Sequence, residues 1–251
     1  MRQRVLITAG ASGIGRAIAE AFHVKGADVF VCDVDTDGLT ALAAKFEGIH
    51  TLVCDMSDRA QIEKMVSVAA SALGGLDVLV NNAGVSGPTS PVAELRPDDW
   101  DYVLKVNLTG TFDVTRLAIP YLVATGGLII NMSSVAGRTG YPNRIGYSTS
   151  KWGLIGFTKT LSMELGDAGV RVNAILPGAV DGPRFQNVLA SRAERAGQPL
   201  SVALEHALEK QSLKRLVNPG HVAELALFLA SDAGQSISGA AIPVDCDLQS
   251  A

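Results

Sequence analysis

The chain is 251 residues long, 47% apolar and only 18% charged, with 26 glycines and a net charge of −4. Such a composition excludes a disordered or fibrous protein and fits a globular one with a substantial core. With a mildly acidic balance and no basic block, neither nucleic acid nor an anionic membrane is expected as a partner.

In chain order, the first element is a short β-branched run over residues 4–8, RVLIT, too brief for a signal peptide or a membrane span. No later apolar run is long enough either, so a cytoplasmic location is expected. A glycine turn follows, then a helix over 14–25 with Ile14, Ala17, Ile18, Ala21 and Phe22 on one face and Gly26 as its stop. Residues 27–33, 50–55, 76–82, 127–134 and 170–176 read as further buried strands, and 239–245 as a seventh. Helical stretches separate them, including long ones near 98–124 and 147–166 and a shorter one near 220–230. Strands that are apolar on both faces and alternate with helices imply a parallel sheet covered on both sides. The expected architecture is α/β: a single doubly wound Rossmann-type domain over 1–251 with a seven-stranded, mainly parallel sheet. Residues 183–217 interrupt the alternation with two polar helices, near 185–195 and 201–211. They follow the C-terminal end of a strand, where open α/β sheets bind ligands, so a helical lid over the substrate is expected there. Cys32, Cys54 and Cys246 form no Cys-x-x-Cys pair and have no metal spacing. They read as reduced, structural thiols, and no metal site is expected.

The turn TAGASGIGRA carries Gly10, Gly13 and Gly15 from strand into helix. Such a turn lets the backbone approach a pyrophosphate at a helix N-terminus. The G-x-G-x-x-G pattern is not met, because Ile18 occupies its last glycine, and the turn alone is a weak signal. Asp33, ending the second strand, sharpens it. A carboxylate there accepts hydrogen bonds from both ribose hydroxyls and repels a 2′-phosphate. Val34 follows Asp33 and Ser12 precedes Gly13, so no Arg or Lys is offered to that phosphate. NAD is therefore expected in preference to NADP, with Asp55, ending the third strand, near the adenine.

Tyr147 and Lys151, in NRIGYSTSK, stand one helical turn apart and share a face. A phenol, with an ordinary pKa of about 10, exchanges protons easily near neutrality only where about 4 kcal/mol favours the phenolate. An adjacent ammonium and a place near a helix N-terminus both act in that sense. Around this pair stand CDMSD (54–58), NNAG (81–84), VNLTG (106–110), NMSSVAG (131–137), NAILPG (173–178) and SISGAAIPVD (236–245). With the glycine turn and in this order, they make the chain resemble the short-chain dehydrogenases/reductases over essentially its whole length. The resemblance implies hydride transfer between a nicotinamide cofactor and a secondary alcohol or ketone. It implies Asn107, Ser134, Tyr147 and Lys151 as the catalytic set. Tyr147 exchanges the proton, Ser134 hydrogen-bonds the same oxygen, Lys151 also binds the nicotinamide ribose, and Asn107 holds a proton-relaying water. It further implies cofactor contacts from Gly10, Ser12, Gly13, Ile14, Gly15, Asp33, Asp55, Met56, Asn82, Ala83, Gly84, Tyr147, Lys151, Pro177, Gly178 and Val180. A homotetramer or homodimer, built through the two long helices and the C-terminal strand, is implied as well.

Three places depart from the family pattern. Ala9 replaces the first glycine of the turn, and is expected to keep a backbone angle comfortable for an L-residue or else to shift the turn by one. Gly182 stands where a Thr often bonds the nicotinamide amide, leaving that amide to the backbone at Val180, to Asp181 or to a lid residue. Cys246 and Asp247 replace a usual Gly pair. The substrate is expected to meet Ser134, Ala136, Tyr141, Asn143, Arg144 and Tyr147, with Arg184 opening the lid. Arg144 and Arg184 together suggest a clamp for a carboxylate, sulfonate or phosphate, hence a small or medium hydroxy compound with an anionic group. A sugar or polyol dehydrogenase is a second reading, and a 3-oxoacyl thioester reductase, which Asp33 opposes, a third. A catalytically silent NAD-binding scaffold is a fourth, opposed by the complete catalytic set.

Overall fold

Seven runs of Val, Ile and Leu become strands in the computed structural model, which describes residues 2–249 apart from the side chain of Arg184. They are β1 (Arg4–Thr8), β2 (Asp28–Asp33), β3 (His50–Val53), β4 (Val78–Asn81), β5 (Leu128–Met132), β6 (Arg171–Pro177) and β7 (Ala241–Val244). The helices are α1 (Gly13–Val24), α2 (Thr36–Lys45), α3 (Arg59–Leu73), α4 (Pro97–Leu104), α5 (Gly110–Val123), α6 (Ile145–Glu164), α7 (Pro183–Ala196), α8 (Leu200–Leu208) and α9 (Pro219–Ala230). One sheet holds all seven strands in the order β3-β2-β1-β4-β5-β6-β7, with every pairing parallel.

Register and the two-residue period sort the core into two layers. Val5 lies between Val29 and Val78, and Ile7 between Val31 and Val80. These residues face Ile18 and Phe22 of α1, Leu39 and Leu42 of α2, and Val222, Ala226 and Leu229 of α9. Leu6, Phe30, Leu79, Ile129 and Val172 face the other way, against Met65 and Ala69 of α3, Val114 and Leu122 of α5, and Leu161 of α6. Each large aliphatic or aromatic side chain so buried contributes about 1.5–3 kcal/mol.

The chain runs from β1 outward through β2 to β3, then returns to β4 and runs the opposite way to β7. Beyond the C-terminal ends of β1 and β4 the connections part, and that switch point opens a crevice. Four strands stop short of their expected ends. Residues 54–55, 82, 133–134 and 245 lie past the strand ends at the C-terminal edge, and all but Asp245, which pairs with Arg138, line the crevice. The long helix expected near 98–124 is two helices, joined by a widened π-type turn over Lys105–Thr109. Such turns insert an extra residue and often mark functional sites. Among the described residues, no helix is long and apolar enough to cross a membrane.

Candidate active site

The glycine turn is stapled to the end of β4. Thr8 Oγ1 accepts from the backbone N–H groups of Asn82 and Ala83, both at 3.0 Å. Asn82 Nδ2 donates in return to Thr8 O at 3.1 Å and Ala9 O at 2.8 Å. To present that carbonyl, Ala9 takes φ +53°, a left-handed angle, which corrects the expectation that it would keep a comfortable L-residue conformation. Gly15 is obligatory for packing: a Cβ there would fall 2.3 Å from Ala9 O and 2.4 Å from Asn82 Nδ2. Asp33 Oδ2 accepts from Ala11 N at 2.9 Å and Oδ1 from Asp35 N at 3.1 Å, so the carboxylate is fixed beside the turn. The turn, the start of α1 and this carboxylate make a cradle that fits a dinucleotide.

A cavity of about 970 Å³ runs along the C-terminal edge of the sheet from Asp33 to the helices α7 and α8. Its size suits a cofactor together with a small substrate. Ser12, Gly13, Ile14, Asp33, Asp55, Met56, Asn82, Ala83, Gly84, Pro177, Gly178 and Val180 all line it. Gly10 and Gly15 are buried and stand behind the turn. Cys54 reaches the wall, whereas Cys32 lies behind it; contact with the Cys54 thiol and burial raise the Cys32 thiol well above its ordinary range, which keeps it unreactive. All three cysteines are free, and among the described residues no cluster of His, Cys, Asp and Glu is able to hold a metal.

Tyr147 sits in the first turn of α6, with Lys151 one turn further on. Lys151 is 3% exposed. Its Nζ donates to Met132 O at 2.8 Å and lies 5.7 Å from the centroid of the Tyr147 ring. Gly84 leaves room for that ammonium, because a Cβ there would lie 3.4 Å from Lys151 Nζ and 3.2 Å from Asn107 Oδ1. Ser134, Tyr147 and Lys151 line the cavity together. Asn107 is fully buried one layer behind them, on the π-type turn. Its Oδ1 accepts from Val85 N at 2.7 Å, and its Nδ2 donates to Val85 O and Ser150 Oγ, both at 3.0 Å.

The expected substrate positions divide. Tyr141, Asn143 and Arg144 line the cavity, whereas Ala136 is buried outside it, its carbonyl taking a hydrogen bond from Ser148. The Arg184 side chain lies outside the described residues. Arg144 is 4% exposed, donates from Nη2 to Ser86 O at 3.0 Å, and holds its guanidinium carbon 5.0 Å from the Tyr147 ring centroid. Residues not anticipated also line the cavity: Phe185, Val188 and Arg192 of α7, and Leu248 and Gln249 of the tail. The tail is tied to residues 210–213, with Ser212 N and Leu213 N donating to Asp247 O and Cys246 O. Cys246 and Asp247 take φ +58° and +56°, the conformation that favours the glycines usual at these positions. Their substitution was visible in the sequence; the contact between tail and cavity had no local signal.

A parallel α/β sheet with a glycine turn, and a Ser, Tyr and Lys converging at its switch point, define a nicotinamide-dependent oxidoreductase. Residues 8–247 match a family model described as enoyl-(acyl carrier protein) reductase, and the chain belongs to the short-chain dehydrogenase/reductase family, whose members act on CH–OH and ketone groups. It is 38% identical to the 3-oxoacyl-(acyl-carrier-protein) reductase of Thermotoga maritima, over 96% of this chain and 95% of that one. It is also 38% identical to the D-beta-hydroxybutyrate dehydrogenase of Cupriavidus necator, over 94% and 93%. Among solved structures, a substituted actinorhodin polyketide ketoreductase with NADPH superposes with a TM-score of 0.93 at 32% identity, covering 97% of this chain and 96% of that one.

Proposed function

We propose that this oxidoreductase is an NAD-dependent dehydrogenase of secondary alcohols, working on a small hydroxy compound. The observation that supports it most is one cavity with Asp33 fixed at one end and Ser134, Tyr147 and Lys151 at the other. Bound there, NAD would supply the hydride chemistry. The glycine turn and the start of α1 would hold its pyrophosphate, Asp33 its adenosine ribose, and Lys151 its nicotinamide ribose. Tyr147 then takes the alcohol proton as general base, and returns it to the ketone oxygen in the reverse direction. Ser134 orients that oxygen, and Asn107 would hold a water that relays protons outward from Lys151. The fold likeness to a ketoreductase that carries NADPH does not decide the cofactor for this chain. Asp33 favours NAD, because its carboxylate would stand against a 2′-phosphate.

The Cupriavidus relative's name specifies a hydroxy acid, which agrees with an anionic substrate; the Thermotoga relative's specifies an acyl thioester. Residues 183–217 act as the substrate lid, since α7 contributes to the cavity wall. Tyr102, Phe112, Trp152 and Met163 are large apolar side chains exposed on α4, α5 and α6, and that exposure supports a homotetramer or homodimer in which they would be covered. Three free cysteines suit a cytoplasmic setting. The test is the initial rate of NADH or NADPH formation from secondary alcohols, with Tyr147→Phe as control. Turnover with NAD that the variant loses supports the reading; turnover that Tyr147→Phe retains refutes it.

A further inference from the structure

The charges around the cavity are unevenly spent. Its carboxylates are Asp33 and Asp55, at the ends of β2 and β3, and Asp181. Near the lid stand cations, and most of those in and around it are already engaged. Arg138 is paired with Asp245. Arg144 holds Ser86 O and packs on Tyr147. Arg195 of α7 donates to Thr89 O at 2.6 Å and to Glu94 Oε2 at 3.3 Å, fastening the helix to the body.

Arg192, one turn before Arg195, differs from Arg138 and Arg195 in meeting no carboxylate, and from Arg144 in being half-buried where Arg144 is buried. Phe185, Val188 and Arg192 fall on one face of α7, and all three line the cavity. The neighbouring face, with Leu189 and Ala193, packs on Ala203 of α8. Arg192 is half-buried and donates from Nη2 to the Tyr141 hydroxyl, with its guanidinium carbon 5.0 Å from the Tyr141 ring centroid. Among the described residues no carboxylate lies within ion-pair distance of it. A guanidinium has five donors in a planar fork. Here one is used, by a neutral phenol that also fixes the plane of the fork. A partly desolvated charge with no counter-charge is costly unless the working state supplies one.

We infer that Arg192, oriented by Tyr141, is the specificity residue of this enzyme: it binds the oxyanion of a substrate that carries a carboxylate or sulfonate as well as its secondary alcohol or ketone. Phe185 and Val188 line the same cavity on the same face of α7 as this fork, so a substrate held by it meets an apolar wall there. The inference rests on the hydride-transfer reading and adds to Arg144, which also lines the cavity, a second guanidinium for the anion. Exposed Lys210, which also lines the cavity, adds charge at its mouth.

The test measures kcat and KM with NAD for matched pairs: 3-hydroxybutyrate with 2-butanol, 4-hydroxypentanoate with 2-pentanol, gluconate with glucitol, and 2-hydroxypropane-1-sulfonate with 2-propanol. The wild type is expected to prefer the acid member of at least one pair. In Arg192→Gln the ratio of kcat/KM, acid over neutral, falls about 10- to 100-fold, mainly through KM for the acid, as loss of a charge-assisted bidentate contact requires. Arg192→Lys, which keeps charge without the fork, restores part of that ratio. Melting curves confirm that each variant folds, and the ratio within one variant cancels any loss of active protein. Preference for the neutral members, or a ratio that Arg192→Gln leaves in place, overturns the inference while sparing the dehydrogenase reading. No turnover of any alcohol with NAD or NADP overturns both.

Discussion

Asn107 offers a test in which the magnitude follows from its contacts. Its carboxamide pairs with both the N–H and the C=O of Val85, at 2.7 and 3.0 Å, and with Ser150 Oγ at 3.0 Å. Asn107→Leu keeps the branched heavy-atom skeleton, adds some bulk, and removes all three bonds. Each buried polar group left unpaired costs about 1–3 kcal/mol. Ser150 still donates to Tyr147 O, so the two Val85 groups carry most of the loss. A total of about 3 kcal/mol follows, which lowers Tm by roughly 6–12 °C in a chain of this size. Asn107→Asp keeps the bond from Val85 N but sets a second carboxylate oxygen against Val85 O, and should also lose stability, offset in part by the nearby Lys151 ammonium. Both changes loosen the segment 85–86, whose Ser86 carbonyl holds Arg144 against Tyr147, so kcat falls about 10- to 100-fold through misplacement. Thermal unfolding and initial rates measure the two effects separately. An Asn107→Leu protein melting within about 1 °C of the wild type would refute the clamp, since two unpaired buried groups could not then be present.

Replacing Asp33 by Asn removes the charge opposed to a 2′-phosphate. Because the group is only half-buried, the ratio of kcat/KM for NADP over NAD should rise about 10-fold, and an unchanged ratio would show that cofactor choice lies elsewhere. A left-handed angle costs an L-residue about 1–2 kcal/mol, and glycine returns about 0.4–1 kcal/mol of that through the unfolded chain. Cys246→Gly should therefore stabilise by about 0.5–1 kcal/mol in urea unfolding, and Asp247→Gly by less, because Asp tolerates the angle better. Asp77 predicts an acid limb: burial pushes its carboxyl up, but the hydrogen bonds from Arg4 Nε, Nη2 and N outweigh that and hold it below the ordinary value. A folded value below the unfolded one, about 3.9, gives stability that is present above that pH and lost as pH falls through the folded value. Arg4→Met should flatten the decline of Tm below about pH 4, and a decline of unchanged steepness would remove Asp77 from the account.

Most of the fold was legible because the signals were local. Each strand is a short apolar run, and Ile18 and Phe22 show the face of α1 without any knowledge of α9. The grouping of Ser134, Tyr147 and Lys151 was legible for a similar reason: Tyr147 and Lys151 are neighbours on one helix, and Ser134 follows closely on the end of β5. Strand ends were read too long because no Gly or Pro marks where the ladder stops: Cys54 is as apolar as the strand before it, and Asp55, Asn82 and Ser134 turn into the crevice without such a breaker. Of the two alternatives for Ala9 the comfortable angle is not the one adopted, and nothing local shows this: its carbonyl meets Asn82, reaching across from the end of β4.

The substrate end was less legible for the same physical reason, carried further. A sequence shows that Arg144 bears a charge near Tyr147, but not that it is buried between Ser86 O and the Tyr147 ring. It shows nothing at Arg192, whose partner Tyr141 lies far back in the chain. Charge is a property of a residue, whereas its availability to a ligand is a property of the contacts that surround it. Two arginines equal in sequence, Arg192 and Arg195, stand one turn apart on α7 and differ in that Glu94 has reached one of them. Whatever anion this enzyme recognises is therefore selected by which cations the folded body has left without a carboxylate.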